Sequence, residues 1–325
     1  MKDKKLVAIG EALIDFIPSE KGCSFDDVTS FFPAVGGAPA NVCGAFSRLG
    51  GRSAFLTQLG DDPFGHKIER YLKATGIDTS GVVFTDKANT ALAFVSLDGN
   101  GDRTFSFYRN PSADMLYDKG MVPEDVFEDA FALHFCSVSL GDFPMKEAHR
   151  KAIEIASSKG CLISFDPNLR FPLWKDPSDL KAAVDEFLPV ADILKVSDED
   201  LEFITGESDI GKALPVLFKG NVKLVLYTCG ADGAYAITKK TRAFAGSVKC
   251  DVVDTTGAGD ASVGSFLWKL MLAGTDRNNI EDLSEGELSE ALTFMSEYCA
   301  ISVGGKGAIP SYPSLEQVQQ RINNR

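Results

Sequence analysis

Residues 161–228 read CLISFDPNLR FPLWKDPSDL KAAVDEFLPV ADILKVSDED LEFITGESDI GKALPVLFKG NVKLVLYT. Short apolar runs at Leu162–Asp166, Ile193–Val196 and Leu224–Thr228 have the length of strands, while Leu180–Leu188 and Glu199–Thr205 carry helical spacing between them. Strand and helix in alternation predict parallel pairing through right-handed crossovers, hence a central sheet covered on both faces. The same rhythm extends upstream, with strands at Leu6–Gly10, Ala54–Leu59 and Ala132–Phe135 and helices at Pro39–Leu49, Phe64–Ala74 and Met145–Ser158. Downstream the chain turns helical, at Ala258–Ala273, Ser284–Ser302 and Leu315–Ile322. The fold class is α/β.

One region breaks the rhythm. Thr90–Leu97 and Arg103–Tyr108 flank the glycine-containing loop Asp98–Asp102 and read as a β-hairpin. A hairpin fits poorly inside a parallel sheet, so it is assigned to a small accessory sheet, with Ile14–Ile17 and Phe31–Phe32 as further strands. Beside the carboxyl ends of the main strands, such a sheet is placed to act as a lid. The chain carries no repeats, low-complexity segments or long linkers. It is therefore read as one domain over residues 1–325, with the lid formed by insertions around 12–34 and 88–110. The hairpin's exposed edge points to a homodimer made through the lids.

With 325 residues and a formal charge of −13, the chain does not present the basic face of a general nucleic-acid binder and is not suited to an anionic membrane surface. An anionic ligand would need local groups to offset that field. The 7 cysteines form no Cys-x-x-Cys, and with 3 histidines they make no zinc pattern, so reduced thiols in a cytoplasmic setting are expected. The apolar start is broken by Glu11 and Asp15 and precedes no cleavage site, so it is not read as a signal peptide. No stretch reaches the about 18 apolar residues of a membrane helix.

The segment most informative about chemistry is Asp254-Thr-Thr-Gly-Ala-Gly-Asp260, which opens a helix. Glycines let backbone N–H groups approach a ligand, and a helix start is an anion site. Asp260 would then lie beside a bound phosphate, able to accept a proton from an attacking hydroxyl. An ordinary acidic residue in a first helical turn is the competing reading. No Gly-x-x-x-x-Gly-Lys-Ser/Thr occurs, which excludes a P-loop enzyme, and the dinucleotide fingerprint is missing as well.

Asp254–Asp260 resembles the carboxyl-terminal signature of the PfkB, or ribokinase-like, sugar kinases. Gly36-Gly-Ala-Pro-Ala-Asn41, continuing to Gly50 and Gly60, is similar to their amino-terminal signature. Gly10–Asp15, Phe165–Arg170, Lys195–Asp200, Thr228–Gly233 and Gly307–Ser311 match in the same order, so the resemblance spans about residues 5 to 315. Phe107–Met115 and Phe165–Arg170 are most similar to the fructokinases of that family. The resemblance implies a ribokinase-like fold: a mostly parallel sheet between helices, with a small β-sheet lid.

It also implies roles. Asp260 is the base, and backbone N–H groups of Gly257, Ala258 and Gly259 form the anion hole with it. Asp15, Gly36, Gly37 and Asn41 hold the sugar, and Arg109 and Asn110 reach down from the lid. Arg109 has a structural alternative, an ion pair with Asp114. Asp166 and Asn168 join the sugar set, although Asp-Pro-Asn is also good turn chemistry. On the nucleotide side stand Arg170, Lys195, Ser197, Thr228, Gly230 and Gly233. Ser197 and Asp200 replace the family's Asn and Glu, keeping a hydroxyl and a carboxylate. Asp200 is the implied Mg²⁺ residue, acting through water. Asp254, Thr256, Ser302, Gly305, Gly307 and Ser311 map onto the family's monovalent-cation site, for K⁺; otherwise Asp254 caps the turn or Lys306 fills the ion's place. The implied reaction is ATP-dependent phosphorylation of a sugar's primary hydroxyl, D-fructose to fructose 6-phosphate. Alternatives are 2-keto-3-deoxygluconate kinase or ribokinase within the family, and a non-catalytic sugar-sensing protein outside it.

Overall fold

In this computed structural model, residues 4–20, 22, 25–97 and 103–324 are described, with backbone alone for 96, 97 and 103–105. The hairpin loop Asp98–Asp102 and Cys23 lie outside the described residues. Strands β1 (Lys5–Ile9), β2 (Leu13–Pro18), β3 (Phe31–Gly36), β4 (Arg52–Gly60), β5 (Ile77–Asp78), β6 (Val82–Thr85), β7 (Ala91–Leu97), β8 (Arg103–Tyr108), β9 (Ala130–Cys136), β10 (Leu162–Asp166), β11 (Ile193–Ser197), β12 (Leu224–Thr228), β13 (Ala234–Thr238) and β14 (Arg242–Ala245) build two sheets. Helices are α1 (Ala38–Arg48), α2 (Pro63–Ala74), α3 (Pro144–Ser158), α4 (Pro177–Phe187), α5 (Asp198–Thr205), α6 (Ile210–Leu217), α7 (Ala258–Leu272), α8 (Glu285–Ser302) and α9 (Leu315–Asn323).

The large sheet runs β14-β13-β12-β11-β10-β9-β1-β4-β5, with β6 also on β4. From β12 to β5 every pairing is parallel; β13 and β14 add an antiparallel end. Alternation divides the strand residues between two cores. Leu6 and Ala8 of β1 join α1, α2, α7, α8 and α9 on one face, while Val7 and Ile9 join α3–α6 on the other. Buried on both faces, these strands need the near-continuous apolar runs that made them legible. Helices α1 and α7 approach closely because Gly264 carries no side chain: a Cβ there would stand 2.6 Å from Ala45 Cβ and 2.8 Å from the Val42 carbonyl.

The second sheet has the order β3-β2-β7-β8. Its outer pairs are antiparallel, and its central pair, β2 with β7, is parallel. The expected strand Phe31–Phe32 extends to Gly36. At its other end the sheet is anchored by Asp62, which caps α2 through Phe64 N (3.0 Å) and Gly65 N (2.8 Å) and also accepts from Thr90 N (2.8 Å), just before β7.

Candidate active site

The expected site residues gather at the carboxyl ends of the parallel strands, where ligands bind in open α/β sheets. Asp166 ends β10, Ser197 ends β11 and Thr228 ends β12, the last two being opposite one another in register. Facing them is the start of α7. Its N-cap, Gly257, has φ +74°, and a Cβ there would stand 2.5 Å from Ala308 Cβ and 2.6 Å from Tyr312 Oη. Both the left-handed backbone and the close approach require glycine. Tyr312 Oη donates to the Gly257 carbonyl (2.8 Å), holding the turn from outside. The first-turn N–H groups of a helix have no intrahelical acceptor, so those of Gly259 and Asp260 provide an anion site.

Asp260 lies in that first turn, buried. Asn41 of α1 donates through Nδ2 to Asp260 Oδ2 at 2.8 Å, across the α1–α7 contact that Gly264 permits. Burial raises the Asp260 pKa to about 6; the Asn41 bond opposes this, neighbouring Asp166 adds to it, and Arg170 and Lys195 counter it. A carboxyl group so placed can take up a proton near neutral pH. Asn41 Oδ1 is buried without a hydrogen-bond partner, an acceptor left for a ligand donor.

Asp15 is half-buried on β2, beside Gly36 of β3; a Cβ at Gly36 would stand 2.2 Å from Asp15 Oδ2. Gly37 has φ +116° and packs on the Glu11 carbonyl, where a Cβ would come within 2.4 Å. Its carbonyl accepts from Asn41 N (2.9 Å), so the Gly36-Gly37 turn, Asn41 and Asp260 form one connected path.

A second charged cluster adjoins the first. Lys195 Nζ lies 3.3 Å from Asp166 Oδ2, both buried, and a Cβ at Gly259 would be 3.8 Å from the same ammonium. Burial works against that ammonium, but Asp166, Asp200 and Asp260 outweigh it and its pKa is raised. Burial also raises Asp200, against the hydrogen bond from Ser197. Arg170 is exposed and near enough to act on Asp200 and Asp260. Positive charge thus stands beside these carboxyl groups in an acidic protein.

Other expected residues have plainer roles here. Ser197 caps α5, its hydroxyl accepting from Asp200 N (3.2 Å). Gly233 serves the β13 turn, where a Cβ would stand 2.2 Å from the Ala245 carbonyl. Thr228 is half-buried and Gly230 exposed. Asp166 Oδ1 accepts from Asn168 N (3.0 Å), and Asn168 has φ +42°, so Asp-Pro-Asn forms a turn as well as bringing Asp166 to Lys195. Arg109 does not hang from the lid as an open donor. It is buried, donating through Nε to Asp114 Oδ2 (3.0 Å) and through Nη1 to the Val138 carbonyl (3.1 Å), so the Asp114 ion-pair alternative describes its geometry. Asn110 is exposed.

The residues mapped onto a cation site converge. Asp254 Oδ1 accepts from Thr256 N (2.8 Å) and Thr256 Oγ1 (2.7 Å), while Oδ2 accepts from Gly307 N (2.9 Å). Val253 N and Asp254 N both donate to the Val303 carbonyl. Ser302 Oγ is 3.3 Å from Ser311 Oγ, and Gly305 leaves room for Ser311, whose Cβ would otherwise be 2.7 Å away. Lys306 is exposed. Among the described residues, no three His, Cys, Asp or Glu side chains converge on a metal position.

Residues 3–315 match the family described as pfkB family carbohydrate kinase. The chain belongs to that family. Among the relatives of this pfkB kinase, the probable fructokinase-4 of Arabidopsis thaliana is 44% identical over 318 residues, covering 98% of this chain and 96% of that protein. The fructokinase of Xylella fastidiosa with bound ATP superposes with a TM-score of 0.91 at 32% identity, covering 99% of each chain. A fructokinase double mutant from Vibrio cholerae O395, in a form with bound fructose, ADP and potassium ion, gives 0.86 at 32% identity over 98% of each chain. The enzyme is an ATP-dependent sugar kinase. Among the described residues no helix is long and apolar enough to cross a membrane.

Sequence reasoning did not single out Glu11, Ser139 or Tyr312 for this pfkB kinase. Glu11 is 3% exposed, accepting from Ala38 N (3.3 Å) and Ser139 Oγ (3.0 Å). In the sequence it is only an acid interrupting an apolar run. Its burial arises from segments distant along the chain.

Proposed function

We propose that this kinase transfers the γ-phosphoryl group of ATP to the primary hydroxyl of D-fructose, giving fructose 6-phosphate. The observation that carries this reading is the buried Asp260 carboxylate, held by Asn41 in the first turn of α7. Asp260 accepts the proton of the attacking hydroxyl, and the Gly257, Gly259 and Asp260 backbone N–H groups stabilise the equatorial oxygens of the transferring phosphoryl group; the expected Ala258 N–H is instead taken by the Thr255 carbonyl (3.1 Å). Asp15 accepts hydrogen bonds from two sugar hydroxyls, with Gly36 and Gly37 leaving room beside it. Asn41 accepts a further hydroxyl proton at Oδ1 while its amide orients the base. Arg170 and Lys195 offset phosphate charge, and Thr228 and Gly230 line the nucleotide side. The similarity to fructokinases along nearly the whole chain supports fructose over the other sugars.

The donor set suits Mg²⁺ carried by nucleotide phosphates and water, as that ion prefers, because among the described residues no three metal-ligating side chains converge into a cage around Asp200. Asp200 would hold it through water. When bound, the ion neutralises charge on the β- and γ-phosphates. Asp254, Ser302 and Ser311 bring oxygen donors to one place beside the anion hole, and K⁺ is the ion proposed there. The second sheet acts as a lid that excludes water as a competing acceptor. A homodimer through the lids remains part of the proposal.

Phosphoryl transfer is tested by measuring ATP consumption and sugar phosphate formation with fructose, ribose and 2-keto-3-deoxygluconate. The highest kcat/KM with fructose is expected. A higher value with either other sugar overturns fructose, and no transfer to any sugar returns the reading to a sugar-sensing protein.

A further inference from the structure

Three of the chain's passages between the two sheets meet in one buried polar network. Glu11 lies where the chain leaves β1 for β2, Gly37 where it leaves β3 for α1, and Arg109 where it returns from β8. Ser139, from the turn after β9, joins them. Its hydroxyl donates to Glu11 Oε2 (3.0 Å) and accepts from Arg109 Nη2 (3.2 Å), so one proton and one lone pair link the two side chains. Glu11 Oε1 accepts from Ala38 N (3.3 Å), the first residue of α1. On the far side of Arg109, Asp114 takes two of the guanidinium donors and Ser112 Oγ donates to Asp114. Glu11, Arg109, Ser112, Asp114 and Ser139 are all buried.

Two carboxylates and one guanidinium withdrawn from water make a costly way to fill space, and apolar side chains of similar volume commonly serve stability as well. Such a network does fix geometry. Ala38 begins the helix whose Asn41 holds Asp260, whereas Arg109 continues the strand hydrogen-bonded to β7, which pairs with the Asp15 strand β2. Ser139 and Glu11 bind these two ends to each other.

We propose that Glu11, acting through Ser139 and Arg109, is a positioning residue that makes the placement of the second sheet and the alignment of Asn41 with Asp260 a single event. Both carboxyl oxygens of Glu11 are engaged by the protein itself, Oε1 by Ala38 N and Oε2 by Ser139 Oγ. Its work is to ensure that Asp260 is aligned as base only when the sugar-bearing sheet is in place. Without the link the two parts shift separately, and phosphoryl transfer loses its preference for sugar over water. The inference rests on the reading of Asp260 as the base.

The test is Glu11→Gln, which keeps the shape and replaces one carboxyl oxygen by an amide nitrogen, together with Ser139→Ala, which removes the bridge and leaves Glu11 and Arg109 in place. For Glu11→Gln, kcat is expected to fall by about ten- to a hundredfold, the scale of a base displaced by about 1 Å. KM for ATP should stay within about threefold of the original, since Glu11 and Ser139 bond to Ala38 and Arg109 and not to the residues assigned to the nucleotide. ATP consumed per sugar phosphate formed should rise above one, with Ser139→Ala moving both readouts the same way by less. A ratio of one in both variants overturns the proposal, including where activity falls only in step with a lowered melting temperature. If Glu11→Gln does not fold, Ser139→Ala decides alone. Asp260→Asn is run in parallel: full activity there defeats the reading of Asp260, whereas an inactive Asp260→Asn beside an unchanged ratio in Ser139→Ala defeats only this inference.

Discussion

Asp254 and Asp260 flank the same glycine-rich turn and live in opposite surroundings. Asp254 is half-buried and accepts from Thr256 N, Thr256 Oγ1 and Gly307 N, so its oxygens are committed to holding two segments together. Asp260 is buried, with the Asn41 amide as its side-chain donor and a pKa raised to about 6. A carboxyl group that accepts from donors on two segments ties them together and serves as an anchor. One taken from water with few donors is readied to accept a proton. Local sequence puts one before the turn and the other in the helix start; the packing of α1 against α7 gives them their different surroundings.

The largest expected effect breaks the comparison at Asp260. Asp260→Asn should lower turnover by about 10²–10⁴-fold, the scale of losing a general base, with little change in sugar affinity. Steady-state kinetics and calorimetry together check this, and near-normal turnover would remove Asp260 from the proton transfer. Next comes Asp15→Ala, which should weaken sugar binding by at least about tenfold, since charge-assisted hydrogen bonds contribute about 1.5–3 kcal/mol each and 1.4 kcal/mol is a decade. ATP affinity should hold; unchanged fructose affinity in titration calorimetry moves the sugar site elsewhere.

A smaller effect is graded by pH. The base works when deprotonated, so kcat/KM should decline as pH falls through about 6, the value toward which burial raises Asp260. A profile of kcat/KM from pH 5 to 8 that stays level contradicts that environment. The smallest effect sharpens the Asp254 side. Replacing potassium by sodium or tetramethylammonium at constant ionic strength should lower activity several-fold, roughly the range of modest coupling energies. Asp254→Asn should abolish that response. Equal activity in all three salts, in both proteins, leaves Asp254 an anchor only.

The parallel strands were legible because a strand buried on both faces must be nearly apolar along its length, as Leu224–Tyr227 is and as Leu162–Phe165 is apart from Ser164, which bonds with His134. Less was legible where that constraint lapses. Strands β13 and β14 form the antiparallel end of the sheet, where Arg242 and Phe244 are exposed, and α6 holds Pro215, an ordinary sign of a helix end. The glycine-rich turns and Asp260 stood out because backbone approach and helix starts leave marks at fixed spacing. Arg109 was visible in sequence with two roles open, and only the folded chain brings its guanidinium to Val138 and Ser139 as well as Asp114. Glu11 left no mark, since its partners come from Ala38 and Ser139, far along the chain.

The parallel seam at the middle of the second sheet, β2 against β7, joins two excursions of the chain, residues 13–36 and 91–108. Each excursion alone is a two-stranded hairpin, marginal in water. The seam closes only after the intervening segment, with α1, β4 and α2, has folded and brought both hairpins to the same edge. Under the proposed sugar-binding role of Asp15 and this sheet, sugar preference is therefore not a cassette that can be cut out as one piece. Grafting either hairpin from a kinase of different preference leaves a mismatched seam, so transplantation has to exchange both excursions together, and natural divergence in this part of the chain has to proceed by paired change.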